Sequence, residues 1–163
     1  MSISIRQAGD RDLELILLLL KQQYEYNREN HSPACKYDED ELVAQAVLEK
    51  MRTFFQARDE DILFLIAESN QTPCGYVFAR IYEEEQAADD GRGRMGLLEK
   101  LFVTEEARGS GLGQILIDAA MQWFESKGMR RVRVHAYSWN ERARALYEKN
   151  GFLEYAVSFE KFI

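Results

Sequence analysis

Three glycines within five residues, Gly109, Gly111 and Gly113, stand between a short apolar run and a long amphipathic one, and no other stretch restricts the fold as strongly. Leu97 to Val103 is the apolar run, broken by Glu99 and Lys100, and Thr104 to Arg108 is a polar connector. Beyond the glycines, Leu112, Ile115, Leu116, Ala119, Ala120, Trp123 and Phe124 recur at helical spacing, and Gly128 stands where a helix stops. The pattern predicts strand, tight turn, helix. A glycine-rich turn that opens a helix leaves backbone N–H groups unpaired at the positive end of the helix dipole. Without side chains in the way, an anion reaches those groups, and a diphosphate suits them. The amides of Gly109, Ser110, Gly111, Leu112 and Gly113, with the Arg108 side chain, are the candidate phosphate site.

Two nucleotide motifs fail here. A P-loop requires Lys-Ser or Lys-Thr after its last glycine, and neither follows. A dinucleotide fingerprint requires a sixth-position glycine; counting from Gly109 that place holds Gln114, and from Gly111 it holds Leu116. Arg-x-x-Gly-x-Gly remains, on Arg108, Gly111 and Gly113. A second block follows: Val132, Val134 and Ala136 on a predicted strand, then Asn140, Ala143, Leu146-Tyr147 and Gly151-Phe152.

Together the two blocks resemble the GNAT superfamily of N-acetyltransferases, whose acetyl-CoA-binding motif the glycine turn matches. The resemblance implies an α/β (α+β) fold: a mixed, mostly antiparallel sheet with helices on both faces and a V-shaped splay between its two central strands. It implies acetyl-CoA as co-substrate and direct attack by an amine in a ternary complex. Leu101, Phe102 and Val103 then pair with the pantetheine arm through their backbone, Asn140 bonds that arm, and Tyr147 protonates the departing thiolate. Arg142, Arg144 and Lys149 are candidates for the adenosine 3′-phosphate. Glu99, on a strand face with Leu97, Leu101 and Val103, is the candidate base. The Leu98-Glu99, Phe102-Val103 and Trp139-Asn140-Glu141 groups are similar to members that acetylate polyamines and diamines, which leans toward a small cationic acceptor. The helix–loop–helix before the sheet implies acceptor contacts from Tyr24, Tyr26, Asn27 and Tyr37. A protein N-terminus or lysine as acceptor, a longer acyl donor, and a CoA-binding regulatory module without turnover stay open. Dimers through the late strands are common in the family, so a homodimer is a possible state.

The rest of the chain fits one domain over residues 1–163, with 46% hydrophobic and 30% charged residues and no low-complexity linker. Predicted elements are a strand over Ile3 to Ala8, a helix from an Asp10 cap to about Arg28, one or two helices over Tyr37 to Arg58, and strands over Ile62 to Ser69 and Gly75 to Tyr82. Glu83 to Arg94 is an acidic loop, Met129 to Ala136 a strand, Glu141 to Asn150 a helix and Phe152 to Phe162 a last strand. Net charge is −7, against a nucleic-acid partner. No signal segment or membrane span is read, so a soluble cytoplasmic protein is expected. Two distant histidines and two cysteines without CxxC spacing argue against a metal site.

Overall fold

The computed structural model describes residues 3–31, 40–84 and 93–161. Among these residues five strands make one sheet: β1 (Ile3–Gln7), β2 (Ile62–Ser69), β3 (Thr72–Glu84), β4 (Gly93–Val103) and β5 (Val132–Val134). They lie in sequence order, β1 to β4 antiparallel and β5 parallel to β4. Helices α1 (Leu13–Asn30) and α2 (Asp40–Gln56) precede β2, α3 (Leu112–Ser126) links β4 to β5, and α4 (Glu141–Lys149) follows β5.

Side-chain alternation divides the core in two. Leu63, Leu65 and Ala67 of β2, with Val77 and Ala79 of β3, pack under Leu116, Ile117, Ala120 and Phe124 of α3. Phe64 and Ile66, with Tyr76 and Phe78, face Ile16, Leu17 and Leu20 of α1 and Met51 and Phe55 of α2. The rings of Phe64 and Phe78 stack at 4.5 Å across the strand pair. Asn70 and Gln71 both take positive φ, 49° and 65°, and close β2 onto β3 in a two-residue turn.

The lead into α1 differs from the expected Asp10 cap. Asp12 does the work: its carboxylate accepts from the Gly9 amide and, at 2.7 and 2.8 Å, from both terminal nitrogens of Arg6. Those bonds hold its pKa below the ordinary carboxylate value. Within the leucine run of α1, Leu18 is exposed, while Leu19 is buried.

Two features of the sheet prepare the site. β4 and β5 pair only over Gly96–Val132, Leu97–Arg133 and Leu98–Val134, and then part. That is the expected splay. At the same point β4 bulges: Phe78 pairs with Lys100 but Ala79 with Leu98, so Glu99 is the extra residue. β5 is three residues long, shorter than expected, and His135 lies beyond it, exposed.

The last expected strand, Phe152 to Phe162, is not formed within residues 152–161. A strand needs a partner edge, and this segment forms no ladder with β5. Leu153 and Phe159 are therefore left 89% and 94% exposed.

Gly96 sits where the splay begins, and a Cβ there would stand 2.8 Å from the fully buried ring of Phe124. Gly96→Ala is expected to lower stability by about 1–3 kcal/mol through overpacking, seen as a lower urea midpoint with an unchanged slope.

Candidate active site

The glycine turn forms as predicted. Gly109 and Gly111 take φ of 82° and 85°, a region that other residues enter only with strain. Gly111 caps α3 without a side chain, and its carbonyl accepts from the amides of Gln114 and Ile115. The amides of Leu112 and Gly113 have no intrahelical acceptor at this end. Ser110 turns its hydroxyl away, donating to the Ala107 carbonyl at 2.6 Å.

The outer edge of β4 lies beside this turn. Thr104 donates to the Cys74 carbonyl, which sets the alternation: Phe102 gives its amide and carbonyl to β3, and Leu101 and Val103 turn theirs to the open edge. Phe102, expected to pair with a ligand through its backbone, thus has both groups committed to β3, and the open groups belong to its neighbours. Both outward carbonyls are engaged. Gln23 of α1 donates to the Leu101 carbonyl at 3.3 Å, and its own amide oxygen accepts from the Tyr76 hydroxyl at 2.6 Å. Tyr76 is fully buried and its pKa is pushed far up by burial, so the phenol stays a donor and fixes which way the Gln23 amide faces. Arg108 donates from Nε to the Val103 carbonyl at 3.2 Å, with its guanidinium over the Tyr26 ring at 4.1 Å. Its side chain therefore folds back along β4 rather than over the turn.

A cavity of about 390 Å³ connects these parts. Gln23, Tyr26 and Asn27 of α1, Leu101 to Val103, Arg108, the glycine turn, Asn140 and Tyr147 all line it, and Arg142 and Lys149 stand at it as well. Arg144 does not line it and bonds Glu154. Asn140 caps α4, its Oδ1 accepting from the Ala143 amide at 3.1 Å. Tyr147 is 9% exposed and packs edge-on to Phe152 at 5.9 Å. Burial pushes its pKa up to about 12. A second, larger cavity of about 640 Å³ lies behind the stacked Arg108 and Tyr26, which line both.

Glu99 lies elsewhere. The bulge carries it to the α2 face, where its carboxylate accepts from Arg80 Nε at 3.1 Å. Leu101 and Val103 pack on the α3 face, so Glu99 does not share a face with them as expected, and it does not line the 390 Å³ cavity. Among the acceptor candidates, Asn27 and Tyr26 reach that cavity, Tyr24 does not, and Tyr37 lies outside the described residues. Among the described residues no group of histidine, cysteine and carboxylate side chains is arranged to hold a metal.

Sequence reasoning missed two links from α1. Gln23 carries no motif, and only the fold brings it to β4. His31, read as too isolated for a metal, accepts the Trp139 indole N–H on Nδ1 at 3.0 Å and so ties the end of α1 to the loop before Asn140.

Tyr147 gives this site an alkaline signature. Its folded pKa lies above the unfolded value near ~10, so its contribution to stability is intact below pH ~10 and is lost as pH rises toward about 12. Urea midpoints should fall over that window and fall less in Tyr147→Phe. An equal fall in both would remove Tyr147 as a source.

The model of the Acetyltransferase (GNAT) family matches residues 13–152. The thialysine N-epsilon-acetyltransferase of Bos taurus is 30% identical over 91% of this chain and 83% of its own length. The uncharacterized N-acetyltransferase YhfO of Bacillus subtilis is 29% identical over 93% and 91%. Among solved structures, the aminoglycoside N-acetyltransferase AAC(6′)-Iy in complex with CoA superposes with a TM-score of 0.72 at 23% identity, covering 99% of this chain and 95% of that one. The glycine turn, the splayed β4 and the matched family model lead to one conclusion: the chain belongs to the GNAT family and is an acetyl-CoA-dependent N-acetyltransferase.

Proposed function

We propose that residues 1–163 act as one unit that acetylates a primary amine on a small, cationic molecule by direct attack, with both substrates bound. The observation that supports this best is the single cavity shared by the glycine turn, the open edge of β4 and the Tyr147 phenol. The donors present suit acetyl-CoA: unpaired amides at the start of α3 for a diphosphate, Arg142 and Lys149 for a further phosphate, and the outward amides of Leu101 and Val103 for pantetheine and the thioester oxygen. In this reading the amine nitrogen bonds to the thioester carbon, the carbon–sulfur bond breaks, and Tyr147 gives its proton to the thiolate. Glu99, held on the α2 face by Arg80 and outside the cavity, receives the amine's proton only through intervening water. Tyr24, Asn27 and Tyr37 complete the acceptor side. The names of the relatives agree in chemistry: thialysine and aminoglycosides are small molecules with amines. The buried, unpaired thiol of Cys74 suits a reducing cytoplasm, and no helix among the described residues is long and apolar enough to cross a membrane.

The test is thiol release from acetyl-CoA against diamines, polyamines, amino acids and aminoglycosides. Turnover with one amine class is expected, with kcat lowered on the order of 10²–10⁴-fold in Tyr147→Phe while acetyl-CoA still binds. Unchanged kcat in that variant would remove Tyr147 from the chemistry.

The same reading includes a homodimer. Leu153, Tyr155, Val157 and Phe159 alternate along residues 152–161 and are all exposed, a strand pattern with one apolar face. β5 ends the sheet with a free edge among the described residues. A second copy supplies the missing cover by pairing its own segment there. Light scattering should give the mass of two chains, and Val157→Lys with Phe159→Lys should give one. A monomeric wild type would overturn the dimer alone.

A further inference from the structure

The β4 bulge does more than part the sheet. Because two residues stand where one would pair, Glu99 and Lys100 both emerge on the α2 face, next to one another. Lys100 pairs with Phe78, whose ring meets Phe54 of α2 at 5.2 Å. Two more cations converge on Phe54. Arg80 stands over its ring at 5.3 Å and Lys50 Nζ at 6.0 Å. Burial lowers the pKa of Lys100, with the approach of Lys50 adding to the effect and Glu99 opposing it, so the two lysines feel each other. One carboxylate thus stands among three cations: Arg80 holds it, Lys100 adjoins it, and Lys50 lies over Phe54 on the same face. Among the described residues the cluster carries an excess of positive charge, in a chain whose net charge is −7.

We propose that Lys100 and Lys50, with Arg80, form an anion subsite for the acceptor, and that the acceptor is an amino acid acetylated on a side-chain amine. The inference rests on the N-acetyltransferase reading and narrows its acceptor. A polyamine brings only positive charge to this face, and like charges placed together are repelled. An acceptor with a carboxylate is attracted. The offset fits an ω-amine. Lys100 shares the α2 face with Phe78, while its neighbour Leu101 turns its amide to the open edge, so an anion held at the end of the Lys100 side chain lies a side chain's length from the strand edge. A four-carbon stem such as lysine's spans that offset, whereas an α-amine stays beside its own carboxylate.

The experiment compares thiol release with lysine and ornithine against cadaverine, putrescine and lysinamide, which keep the reacting amine and lose the negative charge. Wild-type kcat/KM is expected to fall about tenfold or more when the carboxylate is removed or amidated. Lys100→Glu, and separately the exposed Lys50→Glu, should reverse the preference toward diamines without changing the KM for acetyl-CoA. Diamines used as well as the amino acids by wild type, or a ratio unmoved in both variants, would overturn the anion subsite and leave the transferase reading standing. No release with any amine from a chain that binds acetyl-CoA would overturn both.

Discussion

The site depends on one constraint: the hydrogen-bond ladder between β4 and β5 stops at Leu98. A buried strand edge without partners costs free energy for every amide and carbonyl it strands. The chain meets that cost in two ways. The bulge at Glu99 turns β4 so that only Leu101 and Val103 face outward along the last stretch. α1 and the connector then supply donors, Gln23 for one carbonyl and Arg108 for the other. Gly96 and Phe124 hold the near end of the parting, where the absence of a side chain lets α3 approach closely.

α1 is the element that joins these demands. Its buried face, Ile16, Leu17 and Leu20, anchors it on the sheet. Its later turns carry Gln23 to Leu101, Tyr26 to Arg108 and His31 to Trp139. The helix therefore bridges both arms of the splay, β4 on one side and the loop leading to α4 on the other. A side chain on α1 therefore shapes the cavity from the side away from the glycine turn.

Much of this was legible in the sequence because it rests on local rules. Glycines at 109 and 111 permit the left-handed turn that opens α3, and α3 itself follows from spacing. Asn140 and Tyr147, singled out by the family resemblance, line one cavity because one short helix and its cap fix their separation. Glu99 was placed on the wrong face because simple alternation assumes no bulge, and a bulge is a property of the pairing with β3 rather than of β4. Gln23 stayed hidden for a related reason: its partners are 53 and 78 residues away, and a lone glutamine on a helix has no pattern. Phe152 to Phe162 reads as a strand by composition, but the composition of a strand does not provide the edge it pairs with.

The carbonyls of β4 also bear on how the cofactor is held. A ligand that adds itself to an open strand edge is usually credited with its main-chain bonds. Here the Leu101 and Val103 carbonyls already accept from Gln23 and Arg108, so a ligand amide at either one replaces a bond rather than adding one, and the net gain is small. Only the outward amides of these two residues offer new bonds along the strand. At the other end the amides of Leu112 and Gly113 have no internal acceptor, and the α3 dipole adds to them, so an anion there gains bonds without breaking any. Arg108 links the two ends: it lines the cavity beside the glycine turn, yet its guanidinium is committed to the Val103 carbonyl and the Tyr26 ring, so any turn toward Gly109 and Gly111 costs those two contacts.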